Sequence, residues 1–481
     1  MEQHNGQEAP RLRVIILCSP CMGHLIPLVE LARRLVADHG LSATLLFATA
    51  TPTPSEEYLA VAAVAPDGVD LVAIPGPPAD ALPPSATVRE RIAHAVASSV
   101  PRAEQLVRSL AAASLVVDMG FVGTTRGLAA ELGVPVYVYF PSNLTVLSLL
   151  LHLPELDAAV AGEYRDMTEP IRLPGCMPIL ASDLPSPMLA DRSSELYAKF
   201  LHGVKEYMKT DGFIVNSFPE LEPEVVASIN AMKQPNHLSV YAVGPVVWNR
   251  PAAADKEHEC MRWLDRQPRG SVVYVSLGSG GTLTWQQTAE LALGLEMSQQ
   301  RFIWVVKRPD DSPFGCGSSF FGSQKEGVDE EEATFDFLPE GFVERTRGVG
   351  LLVLSWAPQA AVLSHPSIGC FVTHCGWNSV LESFLNCIPL IAWPLYAEQK
   401  INAAMLEGEL GVATRVKLTD GGLVTKEEVV RAIKCATKDG DGETMKNKMQ
   451  KLKDMALRAL SSEGSSVHAI AQLSNLRKPS T

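Results

Sequence analysis

Short apolar runs alternate with amphipathic stretches along most of the chain, and glycine, proline and polar residues separate them. In the first half these runs are Arg13–Cys18, Ala43–Ala48, Leu71–Ile74, Leu115–Asp118, Val136–Phe140 and Phe213–Asn216. In the second half they are Ser271–Leu277, Phe302–Val306, Leu351–Ser355, Ile368–Thr373 and Ile388–Trp393. Runs that are apolar without alternation predict strands buried on both faces of a parallel sheet.

Amphipathic stretches with helical spacing lie between these runs. They predict helices from Pro27 to about Asp38, from an N-cap at Thr284 to about Met297, and over Val380–Asn386 with Asn378 or Ser379 as N-cap. Strands interleaved with helices indicate parallel sheets joined by right-handed crossovers.

Two stretches interrupt the alternation. Gly244–Glu259 contains two prolines and is predicted to be a linker between domains, as expected for a chain of 481 residues. Arg308–Phe337, with its dense acidic cluster, is predicted to be a long mobile surface loop. Near the end, Gly442–Ser462 predicts a charged amphipathic helix.

Charge and composition exclude several classes of partner. The chain has 41 basic and 54 acidic residues, and the net charge of −13 argues against binding to nucleic acid or anionic membranes. The apolar run Val14–Leu17 is too short for a secretory signal, and no stretch is long enough to span a membrane. We therefore expect a cytoplasmic protein, whose nine cysteines are free thiols.

Three motifs that could indicate other chemistry have simpler interpretations. Cys18–His24 resembles half a zinc site, but the second matched pair of ligands is missing. Asp439–Asp441 has the Asp-x-Asp pattern of a metal site, but its position between two charged helices favours a turn. Gly278–Gly281 lacks the spacing of a dinucleotide-binding loop or a P-loop, so a dehydrogenase is a distant alternative. We expect neither a metal nor a cofactor.

The segment from Trp356 to Gln399 has the features of a nucleotide-sugar site. Its strand, glycine turn and helix N-terminus, around His374–Ser379, place backbone N–H groups where a diphosphate can bind. Trp356 offers a flat face on which a base can stack. Glu398 and Gln399 supply a carboxylate and an amide suited to the hydroxyls of a hexose.

A second candidate cluster follows the first strand. His24 lies in the loop after that strand, and Asp118 closes a later strand, so both are expected at the carboxyl edge of one sheet. A neutral imidazole with a carboxylate on its other nitrogen is suited to act as a general base. A lone histidine before a helix is more often structural, and both interpretations remain open on these residues alone.

The Trp356–Gln399 segment is similar, in length, order and nearly every diagnostic position, to the signature box of the plant secondary-product UDP-glycosyltransferases. The resemblance extends from Val14 to about Leu476. It implies an α/β protein of the GT-B class, with two facing Rossmann-like domains built on parallel sheets. Residues 1–248 would bind the acceptor, 249–455 would bind the UDP-sugar, and 456–481 would return to the first domain.

The resemblance also implies a role for individual residues. On the donor side, Trp356 stacks on uracil, Gln359 meets the nucleoside and Glu382 holds the ribose. The phosphates are contacted by Ser279, His374, Asn378 and Ser379. The sugar is contacted by Trp377, Glu398 and Gln399, and Ala357 and Gly376 also belong to the donor site. On the acceptor side, His24 is the base, Asp118 its helper, and Ser19, Met119 and Phe121 hold the acceptor. Cys21 and Met119–Phe121 depart from the family pattern, in the part of the site that holds the acceptor.

The implied reaction is the inverting transfer of glucose from UDP-glucose to a hydroxyl of a small phenolic, giving a β-D-glucoside. In this family, a glutamine at the end of the box, as Gln399 is here, correlates with the use of glucose as the donor sugar. Ser19–Glu30 and Gly278–Thr284 resemble the subgroup of hydroquinone and monolignol glucosyltransferases. The alternatives are a catalytically silent protein that binds UDP-sugar, and a transferase that uses nitrogen, sulfur or carbon nucleophiles.

Overall fold

Two parallel sheets organise the chain in the computed structural model, which describes residues 11–78, 80–83, 86–232, 238–248, 258–311, 335–354, 356–437 and 441–475. The strands of the first sheet are β1 Arg13–Cys18, β2 Ser42–Ala48, β3 Val69–Ile74, β4 Ser114–Asp118, β5 Val136–Phe140, β6 Gly212–Val215 and β7 Ser239–Ala242. Those of the second are β8 Val272–Ser276, β9 Arg301–Val306, β10 Gly350–Leu354, β11 Ile368–Thr373, β12 Leu390–Ala392 and β13 Ala413–Arg415.

Both sheets have the doubly wound order. The first runs β3-β2-β1-β4-β5-β6-β7 and the second runs β10-β9-β8-β11-β12-β13, with every pair parallel. The strand order reverses between β1 and β4 in the first sheet and between β8 and β11 in the second. Ligands of such sheets bind at this point, in the crevice outside the carboxyl ends of the strands.

Helices cover both faces of each sheet. Those that follow strands of the first sheet are α1 Met22–His39, α2 Glu56–Ala62, α3 Val88–Ser109, α4 Val122–Leu132, α5 Leu144–Ala159, α6 Ser186–Leu189, α7 Glu195–Tyr207 and α8 Pro223–Ala231. Those around the second are α9 Glu259–Leu264, α10 Trp285–Ser298, α11 Phe342–Arg345, α12 Gln359–Ser364, α13 Trp377–Asn386, α14 Gln399–Ala404, α15 Lys426–Thr437 and α16 Asp441–Ala459. The last helix, α17 Ser465–Asn475, returns to the first sheet. Short 3₁₀ turns cover 164–166 and 181–183, and a π-turn covers 405–409.

The apolar runs of the sequence form the cores. The strands of each sheet contribute alternate side chains to a hydrophobic cluster on either face, which gives two clusters for each sheet. The predicted strands are thus confirmed to within a few residues. The pattern missed β7 and β13, which lie at the sheet edges and have only four and three residues.

Two helix starts differ from the prediction. Helix α1 begins at Met22 rather than Pro27, because the fully buried Leu25 packs into the core and extends the helix ahead of the proline. Helix α13 begins at Trp377 with Gly376 as N-cap, so the predicted caps Asn378 and Ser379 are wrong. The cap at Thr284 is confirmed, since its side chain accepts a hydrogen bond from the N–H of Gln287.

The end of the described chain packs against the first sheet. Ile470 and Leu473 of α17 belong to a core cluster of that sheet, and the Ser466 hydroxyl donates to the Gly244 carbonyl. The predicted boundary at 248/249 stays a prediction, because residues 249–257 lie outside the described part. The predicted loop Arg308–Phe337 and the turn at Asp439–Asp441 also fall largely outside it. None of the helices in the described parts has the length and apolar composition needed to cross a membrane.

Candidate active site

His24 and Asp118 meet at the carboxyl edge of the first sheet. Strands β1 and β4 are neighbours in register, with Leu17 opposite Val117, so their carboxyl ends coincide. His24 is the third residue of α1 and Asp118 the last residue of β4. The His24 Nδ1 lies 3.3 Å from the Asp118 Oδ2, and Asp118 has no exposed side-chain surface. The structure therefore brings the two side chains together, although 94 residues separate them.

Asp118 is held by further donors. Its Oδ2 accepts from the Ser19 N–H at 2.5 Å and from the Ser19 hydroxyl, and its Oδ1 accepts from the Gly120 N–H at 3.0 Å. These bonds fix the carboxylate while one oxygen faces the imidazole. An ionised carboxylate only accepts hydrogen bonds, so His24 Nδ1 is assigned as the donor and Nε2 is left as a proton acceptor.

Two of the predicted acceptor contacts need correction. Ser19 is 2% exposed and its hydroxyl donates to Asp118, so it supports the pair instead of contacting an acceptor. Phe121 has no exposed surface and packs in the core behind β4, so it cannot contact an acceptor directly. Met119 is half-buried and keeps surface at this edge.

His374 directly follows β11 and is enclosed by two glycines. A Cβ atom added to Gly278 would come within 2.5 Å of the His374 ring, and one added to Gly376 would come closer still. Burial, followed by the charge of Lys307, lowers the pKa of His374 to about 4, so the ring is neutral near pH 7. Its Nδ1 is buried and has no hydrogen-bond partner among the described residues. A ligand atom would satisfy this nitrogen, which otherwise costs free energy.

The turn after β8 lies beside His374. The Lys307 ammonium donates to the Gly278 carbonyl at 2.7 Å and to the Ser279 carbonyl, which fixes the turn. Ser279, predicted to contact the diphosphate, therefore sits at the switch point of the second sheet.

The N-terminus of α13 completes this cradle. The described side chains provide no cap for it, so the first N–H groups of the helix, from Trp377 to Ser379, stay available to an anion. The preceding Cys375 has a φ of +64°, a conformation that non-glycine residues rarely adopt. The Asn402 amide donates to the Cys375 carbonyl at 3.0 Å and helps to hold this turn. Backbone N–H groups, a neutral imidazole and a helix dipole thus converge here, an arrangement suited to a diphosphate.

The predicted nucleoside residues lie at the far end of this cradle. Gln359 donates to Glu382 at 2.6 Å and to the Ser379 hydroxyl at 2.9 Å. Burial raises the pKa of Glu382 to about 7, against the opposing effect of the bond from Gln359. Trp356 is 52% exposed, unusual for so large an apolar side chain, and its free face can take a base. Ala357, beside it, is almost fully buried.

The predicted sugar residues lie where the two domains meet. Gln399 is buried, and its Oε1 accepts from the N–H groups of Leu395 and Tyr396 at 2.8 and 2.9 Å, so only its Nε2 remains for a ligand. The Glu398 carboxyl lies 3.4 Å from the Ser142 hydroxyl of the first domain. Burial raises the pKa of Glu398, and the nearby His24 partly offsets this effect.

The predicted contact of Trp377 with the sugar needs correction. Its indole is 2% exposed and donates to the Asn216 carbonyl at 2.6 Å. The side chain therefore holds the domains together, and only the main-chain N–H is placed to meet a ligand.

Sequence reasoning missed the residues that join the domains. Asn216, Asn143 and Asn402 are all fully buried, and Asn143 donates to Asn402 across the domains at 2.8 Å. Asn216 closes an apolar run, as Asp118 does, so the same signal applied to every strand end would have found it.

The structure gives a simple account of the cysteines in the Cys18–His24 motif. Cys18 and Cys21 are free and buried, and burial raises the pKa of Cys21 to about 12. A thiol of this kind is a poor metal ligand and nucleophile. Within the described residues, no group of three or more His, Cys, Asp or Glu side chains is arranged to hold a metal ion.

Two facing doubly wound sheets, with a histidine–carboxylate pair on one edge and an anion cradle on the other, define a glycosyltransferase of the GT-B class. Residues 193–455 match the family model described as UDP-glucoronosyl and UDP-glucosyl transferase. The chain belongs to this family.

Similar proteins extend the match over almost the whole chain. Hydroquinone glucosyltransferase of Rauvolfia serpentina is 43% identical over 464 residues, 96% of either chain. The structure of Phytolacca americana UGT2 with UDP-2fluoro-glucose and pterostilbene has a TM-score of 0.85 at 40% identity, over 97% of this chain and 99% of that one. A Polygonum tinctorium UDP-glucosyltransferase capable of glucosylating indoxyl, in a complex with 3,4-dichloroaniline, has a TM-score of 0.85 at 38% identity, over 97% of this chain and 98% of that one.

Gly278→Ala should disturb the cradle through His374. Gly278 has a φ of +76°, which costs an alanine about 1–2 kcal/mol, and the new Cβ must also displace the imidazole. Gly270→Ala is the matched control, because its φ is +65° but its Cβ would meet nothing within 4 Å. We expect both variants to lose thermal stability, and only Gly278→Ala to lose UDP affinity in calorimetry. Equal UDP affinities would show that His374 does not shape the cradle.

Glu382 should make nucleoside binding pH-dependent. Its pKa of about 7 means that the carboxylate, which can accept from two ribose hydroxyls, forms as the pH rises through neutrality. We expect uridine affinity to rise about five-fold between pH 6 and 8, for a pKa that falls by about one unit on binding. Uridine avoids the titration of the phosphates. Calorimetry on Glu382→Gln should give a flat profile, and a slope that persists would assign the effect to another group.

Gln399→Glu should separate loop support from sugar contact. A carboxylate can still accept from the N–H groups of Leu395 and Tyr396, but it has no N–H to donate. We expect UDP affinity to stay near that of the wild type and the KM for UDP-glucose to rise about ten-fold, as for a hydrogen bond to a substrate hydroxyl. Gln399→Ala removes both functions and should also lower the Tm. An unchanged KM in Gln399→Glu would exclude the amide from the sugar site.

Proposed function

We propose that this protein transfers glucose from UDP-glucose to a hydroxyl of a small phenolic, with inversion, giving a β-D-glucoside and UDP. The observation that carries the proposal is the meeting of two half-sites. Ser142, on the His24 side, lies 3.4 Å from Glu398 on the donor side. The relatives named above are consistent with this choice of donor and acceptor class.

The first domain supplies the base. The His24 Nε2 removes the proton of the acceptor hydroxyl, and Asp118 accepts a hydrogen bond from the Nδ1–H and stabilises the imidazolium. The oxygen attacks the anomeric carbon from the face opposite the diphosphate, and the bond from that carbon to the phosphate oxygen breaks. Because the donor is α-linked, the product is the β-glucoside.

The second domain stabilises the leaving group. The negative charge that develops on UDP falls on the N–H groups at the start of α13 and on the neutral His374. Such fixed donors act without reorganisation during the reaction. The cradle thereby provides a local positive field in a chain whose net charge is −13.

The remaining predictions belong to the same proposal. We assign acceptor binding to residues 1–248, donor binding to 249–455, and a return to the first domain to 456–481. The reaction uses UDP-glucose as a co-substrate, requires neither metal nor cofactor, and takes place in the cytoplasm. The free cysteines are consistent with a reducing compartment.

Incubation with UDP-glucose and a panel of phenols tests the proposal, with products identified by mass spectrometry and their anomeric configuration by NMR. We expect β-glucosides from the wild type. In His24→Ala, kcat should fall at least about a hundred-fold, the usual contribution of a general base, while UDP affinity in calorimetry stays unchanged.

Each alternative predicts a different result. Including 3,4-dichloroaniline in the panel tests a nitrogen nucleophile. UDP-glucose binding without product from any acceptor would favour the silent binder, and full activity in His24→Ala would show that another group is the base.

A further inference from the structure

Helix α1 contains a proline close to the predicted base. The helix runs from Met22 to His39, and Pro27 lies in its second turn, buried against the core. Proline has no N–H, so the carbonyl four residues earlier, that of Gly23, has no amide partner within the helix. Gly23 directly precedes His24. The Gly23 carbonyl, beside the predicted base, therefore lacks the hydrogen bond that a regular helix would give it.

The open carbonyl is used by the other domain. The Asn378 Nδ2 donates to the Gly23 oxygen at 2.6 Å. Asn378 is the second residue of α13, in the predicted phosphate cradle. The bond thus joins the first turn of the helix that carries His24 to the first turn of the helix that faces the diphosphate.

The remaining atoms of Asn378 are also oriented. Its Oδ1 accepts from the Asn216 Nδ2 at 3.3 Å, and the Asn216 Oδ1 in turn accepts from the Val246 N–H at 2.7 Å. The amide of Asn378 is therefore fixed, with one N–H on Gly23 and the second left for a ligand. A rotated amide would lose both of these bonds.

We propose that Pro27 is a positioning residue, which keeps the Gly23 carbonyl open for Asn378 and so fixes the helix of the base relative to the diphosphate cradle. The inference rests on the proposed function, because it assigns His24 and Asn378 their roles in transfer. It explains why a residue unfavourable in a helix interior stands at this position. An N–H at position 27 would compete with Asn378 for the same carbonyl.

Pro27→Ala tests the proposal by supplying that N–H. We expect kcat at saturating UDP-glucose to fall about five-fold, the factor that a hydrogen bond of typical net strength provides. The KM for the acceptor should stay the same, and the higher helix propensity of alanine should oppose the loss of stability from the removed ring atoms. Pro101→Ala is the matched control. Pro101 lies inside α3 and is exposed, so its replacement should leave kcat unchanged.

A double-mutant cycle with Asn378→Ala separates positioning from packing. If Pro27 acts through Asn378, Pro27→Ala should have no further effect on kcat in the Asn378→Ala background. An equal fall of kcat in both backgrounds, or wild-type kcat in Pro27→Ala, would overturn the inference. The same cycle is measured as UDP affinity by calorimetry. If the wild type transfers no glucose, the proposed function fails, but the cycle in UDP affinity still tests the inference. Non-additive effects of the two substitutions on UDP affinity would support the contact between Pro27 and Asn378 through Gly23, and additive effects would refute it.

Discussion

The site exists only because the carboxyl edges of two sheets are held face to face. The contacts that hold them are hydrogen bonds between polar groups without exposed surface, such as Asn143 to Asn402 and Trp377 to the Asn216 carbonyl. A buried polar group that loses its partner is costly, so these bonds favour one relative position of the domains. An ion pair from Arg415 to Asp183, at 2.7 Å, adds to the same interface. The distance from His24 to the cradle around His374 depends on all of them.

The fold was predictable because its strands are buried on both faces. Continuous apolar runs indicated the strands, and the positions of His24 and Asp118 at strand ends were enough to predict that they share one edge of the sheet. This inference works because neighbouring parallel strands in register end together. The pattern of apolar runs missed short edge strands such as β7, because four residues are too few to form a recognisable run.

The allocation of individual atoms was not predictable. Ser19, Trp377 and Gln399 lie at the positions that the motifs indicate, but some polar atoms of each side chain already form hydrogen bonds within the protein. The Ser19 hydroxyl holds Asp118, the Trp377 indole holds Asn216, and the Gln399 oxygen holds its own loop. Which atoms remain for a ligand depends on contacts between residues that are distant in sequence, and a linear motif does not contain that information.

The enclosure of His374 between two glycines also constrains how such a site can change over time. A side chain at Gly278 or Gly376 fits only if the imidazole moves or is replaced by something smaller. Loss of the imidazole removes the buried nitrogen that a ligand would satisfy. Substitution at any one of the three positions therefore changes the space that is available at the other two. Under selection for the same site, we expect the three positions to change together and not one at a time.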